Sequence, residues 1–89
     1  MNNIKRKELS KIADRLSEAR DVLNYIKSDL EYVLSDEENT LDNMESFSGT
    51  ERYIAMEEAV DNMSDAVNSI EEAIEEIDNA VESVDNAQK

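Results

Sequence analysis

Residues 59–86 read, in groups of seven, AVDNMSD, AVNSIEE, AIEEIDN and AVESVDN, and alanine returns once more at position 87. Around these alanines, larger apolar residues recur in alternating steps of three and four. Such a sustained heptad pattern is typical of a long helix in a coiled coil or a helical bundle. The sequence therefore predicts a helix over residues 51–87. Its buried seam would consist of Tyr53, Met56, Val60, Met63, Val67, Ile70, Ile74, Ile77, Val81 and Val84.

A second heptad series precedes this helix, between residues 3 and 34. One of its core positions is always leucine, and the other is small or β-branched. We therefore predict a first helix over residues 4–45, with Leu41, Met44 and Phe47 adding apolar contacts near its end. The two predicted core rows are Leu9, Leu16, Leu23 and Leu30, and Ile12, Ala19, Ile26 and Val33.

The segment 35–38 leaves an alternative open for this first helix. Its sequence, SDEE, has the form of a capping box, which starts a new helix. The first helix can therefore break near residue 35, with a short separate helix over residues 36–46. We favour continuation through this segment, with at most a minor kink.

The turn between the two long helices is predicted at residues 46–50. Gly49 is the only glycine in the chain, and glycine takes positive φ without steric cost. Thr50 can cap the second helix with Glu51 in its first turn, and Ser48 is a competing cap. The predicted fold is one all-α domain, residues 1–89, that forms a long antiparallel helical hairpin of the coiled-coil type.

Charged residues beside the two seams support this pairing. A turn centred on Gly49 brings together residues whose numbers sum to about 98, which places Arg20 beside Asp78 and Lys27 beside Glu71. Opposite charges thus meet at two levels of the hairpin. Each such surface pair contributes only ~0–1 kcal/mol, so the pairs are informative mainly about register.

The flank of the hairpin opposite these charge pairs has features that predict self-association. The second helix carries a row of alanines there, which would let another helix approach closely. Two hairpins packed on this flank would form an antiparallel four-helix bundle, and thus a homodimer. Alternatively, the alanines are present because alanine favours helix formation, and Tyr25 and Tyr32 of the first helix only cover its seam. The predicted self-association residues are Val22, Tyr25, Tyr32, Ala59, Ala66, Ala73 and Ala80.

The residue types in the chain disfavour an enzyme. No histidine and no cysteine occurs, so the commonest catalytic bases, thiol nucleophiles and transition-metal ligands are missing. The four glutamates at 71, 72, 75 and 76 suggest a carboxylate metal site, but the heptad places them away from the core, as a solvated face. We expect no enzymatic activity, no cofactor and no metal.

Charge and hydropathy restrict the location and the partners that we expect. No apolar run approaches the ~20 residues of a membrane span, and the N-terminus lacks the apolar core of a signal peptide. A net charge of −14 disfavours direct binding to nucleic acids and to anionic membranes, but permits binding to basic proteins. We expect a soluble cytoplasmic protein with a basic protein partner.

The second helix is the acidic part of the molecule. From Glu51 to Asp85 it carries twelve acids over roughly 50 Å, or about one negative charge per 4 Å. One DNA strand carries one charge per ~3.4 Å, so this surface could mimic DNA in the groove of an enzyme. Alternatively, the acids only form the solvent-exposed side of the helix and bind no partner. The predicted partner-binding residues are Glu58, Asp61, Asp65, Glu72, Glu75, Glu76 and Glu82.

Several segments resemble a family of small acidic helical proteins. They are the DNMES run at 42–46, TERY at 50–53, AMEEA at 55–59 with Asp61 and Asn62, and the basic opening KRKEL at 5–9. The family is encoded by phages and mobile elements of Firmicutes and is largely uncharacterised. The resemblance implies no catalytic residues. It implies a small modulator of a host machine, similar in size and charge to acidic inhibitors of CRISPR effectors and restriction enzymes.

Two functions are therefore expected. The first is inhibition of a nucleic-acid-binding enzyme, of a CRISPR or restriction type, by the acidic face in the host cytoplasm. The alternative is a structural coiled-coil module that acts through dimerisation or assembly and inhibits nothing.

Overall fold

The computed structural model describes all 89 residues and contains two long helices packed against each other as a hairpin. Helix α1 comprises Asn3–Asn43 and helix α2 comprises Glu51–Ala87, with a short 3-10 turn at Glu45–Phe47. There is no strand. The hairpin measures 67 × 15 × 14 Å. The predicted all-α hairpin is thus confirmed.

Side-chain caps define where both helices begin. The side chain of Asn2 accepts a hydrogen bond from the amide of Lys5 at 2.9 Å, and Thr50 Oγ1 accepts one from the amide of Tyr53 at 3.2 Å. Thr50 also donates to the carbonyl of Phe47 at 2.8 Å. These bonds satisfy amides that have no partner within the first turn of a helix. Thr50, rather than Ser48, therefore caps α2.

Helix α1 continues through Ser35 without a break and ends at Asn43. It stops two residues before position 45 because residues 45–47 tighten into the 3-10 turn, in which Phe47 donates to the carbonyl of Met44. Gly49 then reverses the chain with a φ of +92°, a value that other residues rarely adopt.

A glycine substitution tests this turn. We expect Gly49→Ala to lower the free energy of unfolding by about 1–2 kcal/mol, because alanine disfavours left-handed backbone. No atom lies within 4 Å of an added Cβ, so the whole cost would be backbone strain. Urea unfolding followed by circular dichroism measures it. Gly49→Asn is the control and should lose less, since asparagine tolerates this region better; equal stability of Gly49→Ala and wild type would contradict the assignment.

The predicted seam of α2 lies against α1. Val67 is buried, and the other nine apolar residues of that heptad are half-buried. The hairpin has little fully buried interior, since only Ala13, Leu41 and Val67 are more than nine-tenths covered. Two helices alone leave each seam open on both sides.

The seam of α1 differs from the predicted one. The leucines at 9, 16, 23 and 30 face α2 as expected. The predicted second row is wrong, because Ile12, Ile26 and Val33 are 44%, 47% and 51% exposed and Ala19 is exposed as well. The row on the other side of the leucines faces α2 instead. It consists of Arg6, Ala13, Arg20, Lys27, Leu34 and Leu41.

Two ion pairs between the helices lie on that side of α1. Arg20 donates to Asp78 at 3.0 Å, and the ammonium of Lys27 lies 3.3 Å from a carboxylate oxygen of Glu71. Both predicted pairs are therefore present. The methylene groups of Arg20 and Lys27 cover the seam, while the charged ends of these side chains stay in water. The hydrogen bond from Arg20 to Asp78 raises the pKa of Arg20 above its ordinary value.

Candidate functional site

Two surfaces of the hairpin are chemically distinctive. One is the outer face of α2, which is acidic. The other is a stripe along α1, which is apolar. They lie on different helices.

The acidic face of α2 consists of the seven carboxylates that the sequence predicts, and all seven are exposed. None makes an ion pair within the chain, since the ion pairs are Arg20–Asp21, Arg20–Asp78 and Lys27–Glu71. Residues seven apart lie on the same side of a helix, about 10 Å from one another along its axis. Asp61, Glu75 and Glu82 thus form one row, and Glu58, Asp65 and Glu72 form a neighbouring row. Glu76 stands beside them, nearer to the alanines.

The acids of α2 are spread along the helix. No group of three or more acidic side chains converges closely enough to hold an ion. Glu71 faces Lys27, whereas Glu72, Glu75 and Glu76 point to solvent. The acidic face is therefore distributed along α2 and is not a compact cluster.

The charge of this face is not offset by its own helix. Helix α2 carries twelve acids and one base, Arg52, whereas α1 carries ten acids and seven bases. Two of the twelve acids, Glu71 and Asp78, contact cations of α1. The negative potential is consequently concentrated on the side of α2 that faces away from α1.

The α1 apolar stripe consists of Ile12, Ala19, Val22, Ile26 and Val33. All five are exposed, and Val22 is 56% exposed. Successive residues turn by about 100°, so this stripe lies beside the leucine row, on the side away from Arg20 and Lys27. Four of its residues form the row that the sequence places in the core, and the fifth, Val22, is a predicted self-association residue. Leu34 and Leu41 were the available signal, because they share a heptad position with Arg20 and Lys27.

The alanines and the tyrosines that are predicted to self-associate lie on different sides of the hairpin. In the alanine row, Ala73 and Ala80 are half-buried at the edge of the seam, whereas Ala59 and Ala66 are exposed. Tyr25 and Tyr32 are 75% and 76% exposed. Each tyrosine lies two positions from the nearest seam residues before and after it in α1. Two positions correspond to about 200° around a helix, so both tyrosines point away from α2. The hairpin therefore does not place the tyrosines beside the alanine row.

Neither helix contains a segment apolar enough to cross a membrane. Comparisons of the chain with protein-family models, with curated proteins and with solved structures give no match.

Proposed function

We propose that this protein is a non-enzymatic binding protein of phage or mobile-element origin. It inhibits a host nucleic-acid-binding enzyme of CRISPR-type or restriction-type defence in the host cytoplasm. The binding surface is the acidic face of α2, which occupies a groove that otherwise holds DNA or RNA. The protein acts as a homodimer, so that each assembly carries two such faces.

The observation that supports this proposal is the unpaired charge on α2. Ten of its twelve carboxylates make no ion pair within the chain. Helix α2 has 37 residues, which corresponds to roughly 55 Å of the 67 Å length of the hairpin. Its ten unpaired carboxylates give about one negative charge per 5 Å of helix, compared with one phosphate per ~3.4 Å along one DNA strand. A basic groove that binds a nucleic-acid backbone would therefore also attract this helix.

A neutralised variant tests the proposal. We expect Glu72→Gln, Glu75→Gln and Glu82→Gln together to weaken inhibition of DNA cleavage by about 10- to 100-fold, because each exposed ion pair contributes up to ~1 kcal/mol. Glu71 is left unchanged, since it contacts Lys27. The measurement is the inhibition constant against purified CRISPR and restriction nucleases, with wild-type inhibition weakening as KCl rises.

A matched control separates the face from the overall charge. Asp14→Asn, Glu18→Gln and Glu31→Gln remove three exposed charges from α1, and so change net charge equally. This control should inhibit as wild type does. Equal loss in both triple variants, or inhibition that is insensitive to salt, would argue against the acidic face as the binding surface.

The alternative function is a structural module for coiled-coil assembly. It is favoured by the exposed apolar residues of α1 rather than by the acids. In that case Ala73→Glu would abolish function by breaking the dimer, and the acidic-face variant would remain fully active. The two sets of variants thus distinguish the two functions.

A further inference from the structure

We propose that the α1 apolar stripe binds a second copy of this chain, antiparallel to the first, around a two-fold axis near Val22. This inference rests on the homodimer of the proposed function and identifies its interface. It does not involve the acidic face of α2. Four observations on the hairpin support it.

The first observation is the incomplete coverage of α1. Ile12, Ile26 and Val33 border the leucine row, yet they remain about half exposed. They continue the intramolecular seam, on the side that α2 does not reach. In a four-helix bundle, each helix buries residues against two neighbours. The stripe is placed where the second neighbour of α1 would lie.

The second observation is the surface area of the hairpin. Its accessible surface is 6587 Å², whereas a compact monomer of 10.1 kDa exposes about 5,300 Å². The surplus is more than the ~800 Å² that each partner buries in an interface of standard size. A second hairpin lying along the stripe would cover surface of this extent.

The third observation is the distribution of charge along α1. Residues 3–20 contain six bases and three acids, whereas residues 21–43 contain one base and seven acids. The basic half has few partners of its own, because Lys5, Arg6, Lys7, Lys11 and Arg15 make no ion pair within the chain. Cations are also unfavourable in the first turn of a helix. Antiparallel pairing of two α1 helices would place each basic half against an acidic half.

Side-chain sizes and charges agree on one register. An axis near Val22 pairs residues whose numbers sum to 44 or 45. Ile12 then meets Val33 of the second copy, and Ala19 meets Ile26, a small residue opposite a large one.

The same register pairs charges on the neighbouring row of α1. Arg15 lies opposite Asp29 of the second copy. Glu8 and Asp36 form the one like-charge pair, and Lys5 lies within one turn of Glu8 on the same face.

The fourth observation comes from α2. The ion pairs of the hairpin join residues whose numbers sum to 98. An axis at residue 22 of α1 therefore passes α2 near residue 76. That position lies between Ala73 and Ala80, the two half-buried alanines of the row. The small side chains of Ala73 and Ala80 let a helix of the second copy approach α2 closely at that point. The acidic rows of α2 remain on the outside of the bundle.

Cysteine cross-linking tests the interface, because the natural chain has no cysteine. We expect Val22→Cys to form a species of twice 10.1 kDa with a short bis-maleimide. Ile12→Cys should cross-link poorly alone and well when mixed with Val33→Cys. Asn68→Cys, exposed on the outer side of α2, is the matched control and should not cross-link.

A charge variant provides a second measurement. Ile26→Glu should halve the mass in sedimentation equilibrium and leave the helical circular dichroism of the hairpin intact, since Ile26 is exposed in the single chain. Asn68→Glu adds the same side chain to α2 and should remain dimeric.

The remaining outcomes each overturn the inference. Efficient cross-linking of Ile12→Cys alone would indicate parallel helices. A dimer in which Val22→Cys cross-links no better than Asn68→Cys would keep the homodimer and refute this interface. A monomeric mass at every concentration would refute both.

Discussion

Val67→Asp is expected to unfold the hairpin. Val67 is 7% exposed and lies in the middle of the α2 seam, and the register of the ion pairs places it at the level of Leu30 and Leu34. The substitution removes the burial of a valine, worth about 1.5–3 kcal/mol. It also leaves an uncompensated carboxylate in the seam, which costs several kcal/mol more.

The total stability of such a chain is small compared with that loss. At 0.05–0.15 kcal/mol per residue, 89 residues give about 4–13 kcal/mol. We expect the helical circular dichroism of Val67→Asp to fall to that of an unfolded chain at 25 °C. The control is Asn68→Asp, which adds the same charge one residue later on the exposed side and should keep the wild-type spectrum. A fully helical, cooperatively melting Val67→Asp would mean that the seam is placed wrongly.

A proline should destabilise the hairpin at residue 36 of α1 and should be tolerated at residue 51, the first residue of α2. We expect Asp36→Pro to lower the free energy of unfolding by about 3 kcal/mol or more, because proline in a helix interior loses a hydrogen bond and clashes with the preceding turn. Residue 36 lies within the uninterrupted α1, and its carbonyl accepts a bond from the Thr40 hydroxyl at 3.1 Å. Urea unfolding measures the loss.

The control for that experiment is Glu51→Pro. Glu51 is the first residue of α2, where proline is favoured, and Thr50 already has the extended backbone that proline requires before it. Glu51→Pro should therefore change stability little, although it also removes one acid. If Asp36→Pro were equally harmless, Ser35 would cap a separate helix and α1 would be broken there.

Much of this fold follows from local sequence patterns. The heptads of α2 predict the seam that the structure contains, because ten apolar residues recur with no competing row beside them. The position of Gly49 and the charges at 20, 27, 71 and 78 predict the register, and both pairs are present. These features are local in sequence or are set by the length of the turn.

The phase of α1 does not follow from its own pattern. Its leucine row has an apolar neighbour on each side, and counting apolar residues favours Ile12, Ile26 and Val33. The structure buries the other row, in which Leu34 and Leu41 pack near the turn and Lys27 meets Glu71. The choice depends on Leu34 and Leu41 together with residues of α2, and the heptad pattern of α1 alone does not weigh these contacts against Ile12, Ile26 and Val33.

The candidate sites divide in the same way. The acids of α2 are exposed as the heptad predicts, since charged side chains on the outer side of a helix have no reason to turn inward. Of the α1 apolar stripe, the sequence places only Val22 at a surface, because the isoleucines recur at heptad positions that are typical of a core.

By itself, the sequence determined two long helices, the turn between them, the seam of α2 and the placement of the acids, because these depend on periodicity and on single special residues. Only the tertiary structure decided which side of the α1 leucines faces α2, and hence which apolar residues stay in water. One helix can bury only one side of that row, and the ion pairs with α2, together with the leucines near the turn, favour the side that holds Arg20 and Lys27.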